Sequence, residues 1–253
     1  MTRHTTLSFV GALALLALTA GAAGAQSAFS VDPLLIKLDA RANNAVITIT
    51  NPTAKEIRFE VKAFAWDQAP PNGTMMLTPS TDVVIFPPLV SLKPHTIQRV
   101  RVGTTSAQGP IEKAYRIMIE ELPTGAAPVG ATQVAVRTRI GVPVFIEPTK
   151  VTLSGKIDSV TVARRVVSVA LTNTGTTHAM VDNVVIRGMS GPDEVVFEES
   201  LQGWYVLAGK TRTWDYTSSA SQCRPAKFLE IEVYAHDQVL TSKLDMPANA
   251  CTQ

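Results

Sequence analysis

Ile57-Arg58-Phe59-Glu60-Val61-Lys62-Ala63-Phe64-Ala65-Trp66 alternates apolar and polar residues before ending in a small-aromatic alternation. Side chains of a β-strand point to opposite faces in turn, so this pattern reads as a half-buried strand. The same signal recurs at Ala45 to Thr50 (Ala-Val-Ile-Thr-Ile-Thr) and at Tyr115 to Glu120 (Tyr-Arg-Ile-Met-Ile-Glu). Between the strands stand Asn51-Pro52, Pro70-Pro71-Asn72-Gly73, Pro87-Pro88 and Thr124-Gly125. These residues fix φ or permit positive φ, and so they punctuate. No stretch after residue 25 sustains a helical period.

The plan repeats further along. Val166 to Thr172 reads Val-Val-Ser-Val-Ala-Leu-Thr, and Asn173-Thr174-Gly175 follows it as Asn51-Pro52-Thr53 follows the earlier strand. More strands are expected at Val184 to Arg187, Val195 to Glu198, Thr211 to Tyr216 and Phe228 to Ala235, at the short spacing of a sandwich. Two related sandwiches account for this better than one large barrel, which would also fit the strand density. Pro148 lacks the N–H a ladder needs, so the boundary is expected near Glu147-Pro148.

Arg3 and His4, the apolar run Leu7 to Ala20 and the small residues Ala23-Gly24-Ala25 read as a cleaved signal peptide over residues 1–25. That apolar run is short for a membrane span. The expected organisation is a signal at 1–25, a first domain at 26–147 and a second at 148–253, with the product exported and not membrane-embedded. Of 23 Lys+Arg and 21 Asp+Glu, only Arg3 lies in the first 25 residues. The remaining balance is nearly neutral, which argues against a general nucleic-acid binder.

Cys223 and Cys251 are the only two cysteines, and in an exported chain they read as one disulfide. His95, His178 and His236 are spread apart without metal-ligand spacing and read as exposed loop or strand residues. Neither a Gly-x-Ser-x-Gly motif nor a Gly-rich loop before a helix occurs. Enzymatic function is therefore the weakest class, and neither cofactor nor metal is expected.

The segment with a functional reading is Thr132 to Phe145, Thr-Gln-Val-Ala-Val-Arg-Thr-Arg-Ile-Gly-Val-Pro-Val-Phe. In a strict period of two, Val134, Val136, Thr138 and Ile140 share one face and Gln133, Ala135, Arg137 and Arg139 the other. An ordinary core strand would look the same. Natural proteins avoid long apolar edges because unpaired backbone groups recruit foreign strands, so a protein that recruits strands would keep one.

Five blocks then carry a resemblance: Ile49-Thr50-Asn51-Pro52, Phe64-Ala65-Trp66-Asp67-Gln68, Pro87-Pro88-Leu89-Val90 leading to Arg99-Val100-Arg101-Val102, Tyr115 to Pro123, and Arg139 to Phe145. In this order they resemble the periplasmic chaperones of the chaperone-usher pilus pathway. The Tyr-Arg-hydrophobic-Glu-Leu-Pro block and the closing Pro-Val-Phe look most like the archaic branch. The resemblance implies an all-β fold, two immunoglobulin-like β-sandwich domains in a boomerang arrangement, in the periplasm. It implies pilin subunits and an outer-membrane usher as partners, with donor-strand complementation as the mechanism. Val134, Val136, Thr138 and Ile140 would then fill the groove of a subunit that lacks a strand. Three buried aliphatic side chains would contribute on the order of 5 to 9 kcal/mol before association costs.

The family also holds the subunit's terminal carboxylate with basic residues in the interdomain cleft, for which Lys37, Arg139 and Arg101 are the candidates. A second expectation from the resemblance is a buried ion pair between Arg101 and Glu121 that keeps the domains in register. The competing class is a secreted structural or adhesive sandwich protein, such as a pilus subunit.

Overall fold

The computed structural model describes residues 29–123, 137–236 and 238–252. The first run of strands is β1 (Ser30–Asp32), β2 (Ile36–Leu38), β3 (Asn44–Thr50), β4 (Ile57–Ala69), β5 (Thr74–Pro79), β6 (Val83–Phe86), β7 (Leu89–Leu92), β8 (Ile97–Thr104), β9 (Lys113–Leu122) and β10 (Arg139–Ile146). They form two sheets, β1-β3-β8-β6 and β2-β10-β9-β4-β5, with β7 also on β4. The alternation in the sequence determines what faces inward. Ile47, Ile49, Val100 and Val102 from one sheet meet Phe59, Val61, Ile117, Ile119, Val142 and Val144 from the other, all essentially without solvent exposure.

The second run is β11 (Gly155–Ala163), β12 (Val166–Asn173), β13 (Ala179–Gly191), β14 (Glu194–Gln202), β15 (Tyr205–Val206), β16 (Thr211–Thr217), the single-turn helix α1 (Ala220–Cys223), β17 (Phe228–Ala235) and β18 (Gln238–Asp245). Sheet β11-β12-β16 packs over β14-β13-β17-β18. Val167, Val169, Leu171 and Trp214 meet Val184, Ile186, Leu229, Ile231 and Val233 in a second core. The protein is thus an all-β pair of sandwiches. Helix α1 was not legible as a helical period because it is one turn long; a capping box between Ser219 and Gln222 starts it. Its last residue, Cys223, is bonded to Cys251, which ties the end of the chain to this core.

The paired motifs Asn51-Pro52-Thr53 and Asn173-Thr174-Gly175 are more than turn punctuation. Asn51 is fully buried, and its Nδ2 donates to the carbonyls of Lys55, Leu92 and Lys93 while its Oδ1 accepts from Thr53 N. Asn173 repeats the arrangement in the second sandwich, donating to the Thr177 and Val206 carbonyls and accepting from Gly175 N. Each asparagine satisfies loop backbone groups that burial would otherwise leave unpaired. Asn51→Ala and Asn173→Ala should each lower unfolding free energy by about 2–4 kcal/mol in urea titrations, because several buried groups lose their partners at once. A change below about 0.5 kcal/mol would mean that water replaces the amide.

Candidate functional site

Strand β10 is where the functional segment enters the described structure. Val134 and Val136 lie outside the described residues; Thr138 and Ile140 lie within them. Ile140 is half-buried and packs on the first core, ahead of Val142, Val144 and Ile146 on the same face. One edge of the strand is fully used, since β9 pairs with it antiparallel from Arg139↔Glu120 to Ile146↔Lys113. The other edge is only partly used: β2 pairs with Val144, Phe145 and Ile146 and goes no further.

The hydrogen bonds identify which backbone groups face that open edge. Glu121 N donates to Thr138 O, so even-numbered residues of this segment exchange bonds with β9 and odd-numbered ones point outward. Glu147 N accordingly donates to Leu38 O on the β2 side. Arg139 and Gly141 therefore present their backbone to an edge with no strand partner among the described residues, and Pro143, just ahead of the Val144↔Ile36 pair, closes that open stretch. Pro143 has no N–H to leave unpaired there, which is why an edge tolerates it.

The outward face of the same sheet builds a second feature. Phe145 stands opposite Ala114 and packs with Trp66, and Pro143, Arg116 and Phe64 form the next cross-strand row. Arg116 is only 8 % exposed. Its guanidinium lies 4.3 Å from the centre of the Trp66 ring and 5.6 Å from that of Trp204, which comes from the second sandwich. Two donors in this cluster, Arg116 Nε and Trp66 Nε1, are buried and have no acceptor among the described residues. Burial pushes the Arg116 pKa down from its ordinary value. Gly141 makes room for the guanidinium, since a Cβ there would come within 3.2 Å of Arg116 Nη1 and 3.1 Å of Met118 Sδ. Buried polar groups are nearly always paired, so two unpaired donors side by side mark a place suited to an anion.

The basic residues singled out by sequence are distributed differently. Lys37 lies beside Phe145 on the cleft-facing side of β2, exposed and 3.8 Å from Glu147. Arg139 shares that sheet face and lies 3.6 Å from Glu120. Arg101 sits on β8 in the opposite sheet, exposed between the inward Val100 and Val102, with Val46 and Phe86 as its cross-strand neighbours. No ion pair joins Arg101 to Glu121 among the described residues; Glu121 instead accepts from Thr138 N through its carboxylate. The sandwich core separates the two, because Arg101 and Glu121 belong to different sheets.

Other side chains join the sandwiches. Glu112, whose side chain is 2 % exposed, contacts His178 Nδ1 at 2.8 Å and accepts from His178 N and Thr177 Oγ1. His178 is buried and stacked on Phe145 at 3.8 Å, not the exposed residue its sequence context implies. Gln68 donates to Tyr205 O and accepts from Leu207 N, and Lys210 pairs with Asp67 at 2.6 Å. Trp66, Phe145 and Leu207 form a small apolar cluster beneath them. Among the described residues no cluster of His, Cys, Asp and Glu is placed to hold a metal, and no helix is long and apolar enough to cross a membrane.

Residues 28–152 match the family model described as pili and flagellar-assembly chaperone, PapD N-terminal domain. In fold the chain is similar to a protein in the CsuC–CsuE chaperone–tip adhesion subunit pre-assembly complex from archaic Csu pili of Acinetobacter baumannii, with TM-score 0.61, 15 % identity, and coverage of 86 % of this chain and 98 % of that one. The YadV chaperone matches with TM-score 0.57 and 9 % identity over 87 % of this chain and 100 % of its own. The complex of Salmonella enterica SafA pilin with the SafB chaperone matches with TM-score 0.56 and 14 % identity over 85 % and 96 %. Among curated protein sequences none matches.

The joint between the sandwiches makes a distinction that can be measured. Glu112→Ala should lower thermal stability by on the order of 2–3 kcal/mol, since a buried histidine and a threonine lose their acceptor. Arg101→Ala should change it by less than about 0.5 kcal/mol, as expected for an exposed side chain. The opposite ranking in calorimetry would restore Arg101 as the residue holding the domains in register.

Proposed function

Since the chain belongs to the pilus-assembly chaperones of the PapD type, we propose that it is a periplasmic chaperone that holds pilus subunits by donor-strand complementation and passes them to an outer-membrane usher. The observation that carries the reading is the open edge of β10 at Arg139 and Gly141, opposite a fully paired edge. An extended segment of a client can add there as a further strand, with backbone bonds supplying affinity and alternate side chains supplying specificity. Val134, Val136, Thr138 and Ile140 are the proposed donor face, continuous in parity with the apolar residues of β10. Residues 26–147 are the proposed client-binding unit and residues 1–25 the export signal removed on secretion. No catalytic role is proposed. The Tyr115 to Pro123 block and the Pro143-Val144-Phe145 ending support the archaic branch. The reading as a pilus subunit is weaker, because such a subunit is one incomplete sandwich and this chain builds two with separate cores.

For the client's terminal carboxylate the proposed receptor is Arg116, with Lys37 and Arg139 on the same sheet face as secondary attractors. The Trp66 and Trp204 rings lie against the Arg116 guanidinium and its Nε has no acceptor among the described residues, so its in-plane N–H groups suit a bidentate acceptor. Arg101 is a poorer anchor because it projects from the other sheet. A carboxylate would also give the buried charge the partner it lacks among the described residues.

Val136→Arg should abolish co-purification with a cognate subunit while circular dichroism and melting stay unchanged; retained capture would remove the donor face. Arg116→Met should weaken capture at least tenfold, equivalent to about 1.4 kcal/mol, without loss of stability. If Lys37→Ala or Arg139→Ala has the larger effect, the anchor lies at those residues instead.

A further inference from the structure

Trp204 is a large aromatic side chain that the protein keeps partly in solvent, 37 % exposed, beside a buried charge. Its position is held tightly. Val181 N donates to Trp204 O and Gly203 N to Asp182 O, so both flanks of the residue are fastened to β13. Gly203 cannot be replaced without displacing backbone, because a Cβ there would fall 1.9 Å from the Val181 carbonyl oxygen. The Tyr205 ring meets the indole edge-on at 5.7 Å and 89°, which supports one side of it. A tryptophan that served only to cover the core would be driven further inward. This one is mounted on a fixed backbone with one face against Arg116 and another open.

We propose that Trp204 reads the side chain next to the carboxylate that Arg116 holds, so that the cleft selects chain termini ending in an aromatic or bulky aliphatic residue. This rests on the carboxylate-receptor reading of Arg116 given above. The geometry gives the selection its direction. An acceptor bound to the in-plane donors of Arg116 lies within one residue's reach of the indole, which is 5.6 Å from the guanidinium. Next to the carboxylate, an apolar side chain can cover the exposed indole face and exclude water from the charge pair, whereas a small polar side chain leaves both wet. Trp204 is therefore a specificity-determining residue, and Arg116 supplies the charge.

The mature chain can be tested with three peptides, Ac-Ala-Ala-Phe acid, Ac-Ala-Ala-Ser acid and Ac-Ala-Ala-Phe amide, titrated against the indole N–H resonances of its three tryptophans. The Phe acid should bind about fivefold or more tighter than the Ser acid. In Trp204→Ala, read through the Trp66 resonance, that ratio should fall below about twofold. Trp204→Phe should keep most of the preference. A parent protein that binds the two acids equally, or a preference that survives Trp204→Ala, overturns the selector role and leaves the carboxylate reading standing, provided the amide binds at least about fivefold more weakly. If the amide binds as well as the acid, the carboxylate reading fails and the selector role falls with it.

Discussion

Strand β10 has two faces and two edges, and the protein commits each to a different task. The even face, with Val142, Val144 and Ile146, completes the first core, while the odd face carries Phe145 into the joint with the second sandwich. One edge is saturated by β9, and the other is paired only over its last three residues. Because the strand is fixed on three sides, its remaining edge is a rigid template. A rigid template costs little ordering entropy when a foreign strand adds to it.

The joint between the sandwiches follows the same logic of fixed surroundings. Gln68 reaches from the end of β4 and replaces a ladder partner for β15, while Glu112 and His178 satisfy one another inside the interface. These contacts hold Trp204 over a strand from the other sandwich. They also account for why Arg116 stays buried: it packs against the Trp66 and Trp204 rings, and its Nε lacks an acceptor among the described residues.

Much of the fold was legible in the sequence because its cause is local. Alternation at Ala45 to Thr50, Ile57 to Trp66, Val166 to Thr172 and Phe228 to Ala235 gives strands in the structure, and the two Asn-led motifs fall at equivalent buried turns. Strands β5 to β8 and β18 left weaker periodic signals, and α1 left none. The basic residues illustrate the limit. Parity put Lys37 and Arg139 on one sheet face, as in the structure, but it gave Arg101 and Glu121 no sheet assignment, and the two lie in different layers with no ion pair between them among the described residues.

By itself, then, the sequence determined the strands, the inward set of each, the two-sandwich plan and the cysteine pairing, since a period of two and a pair of cysteines are properties of short or unique features. Only the tertiary structure decided that Trp66, Arg116 and Trp204 would meet, that His178 would be buried against Glu112, and that the open edge of β10 would lie at Arg139 and Gly141. The reason is physical: such contacts join residues far apart in the chain, and they depend on which sheet faces which and how strands are offset, quantities that no local pattern encodes.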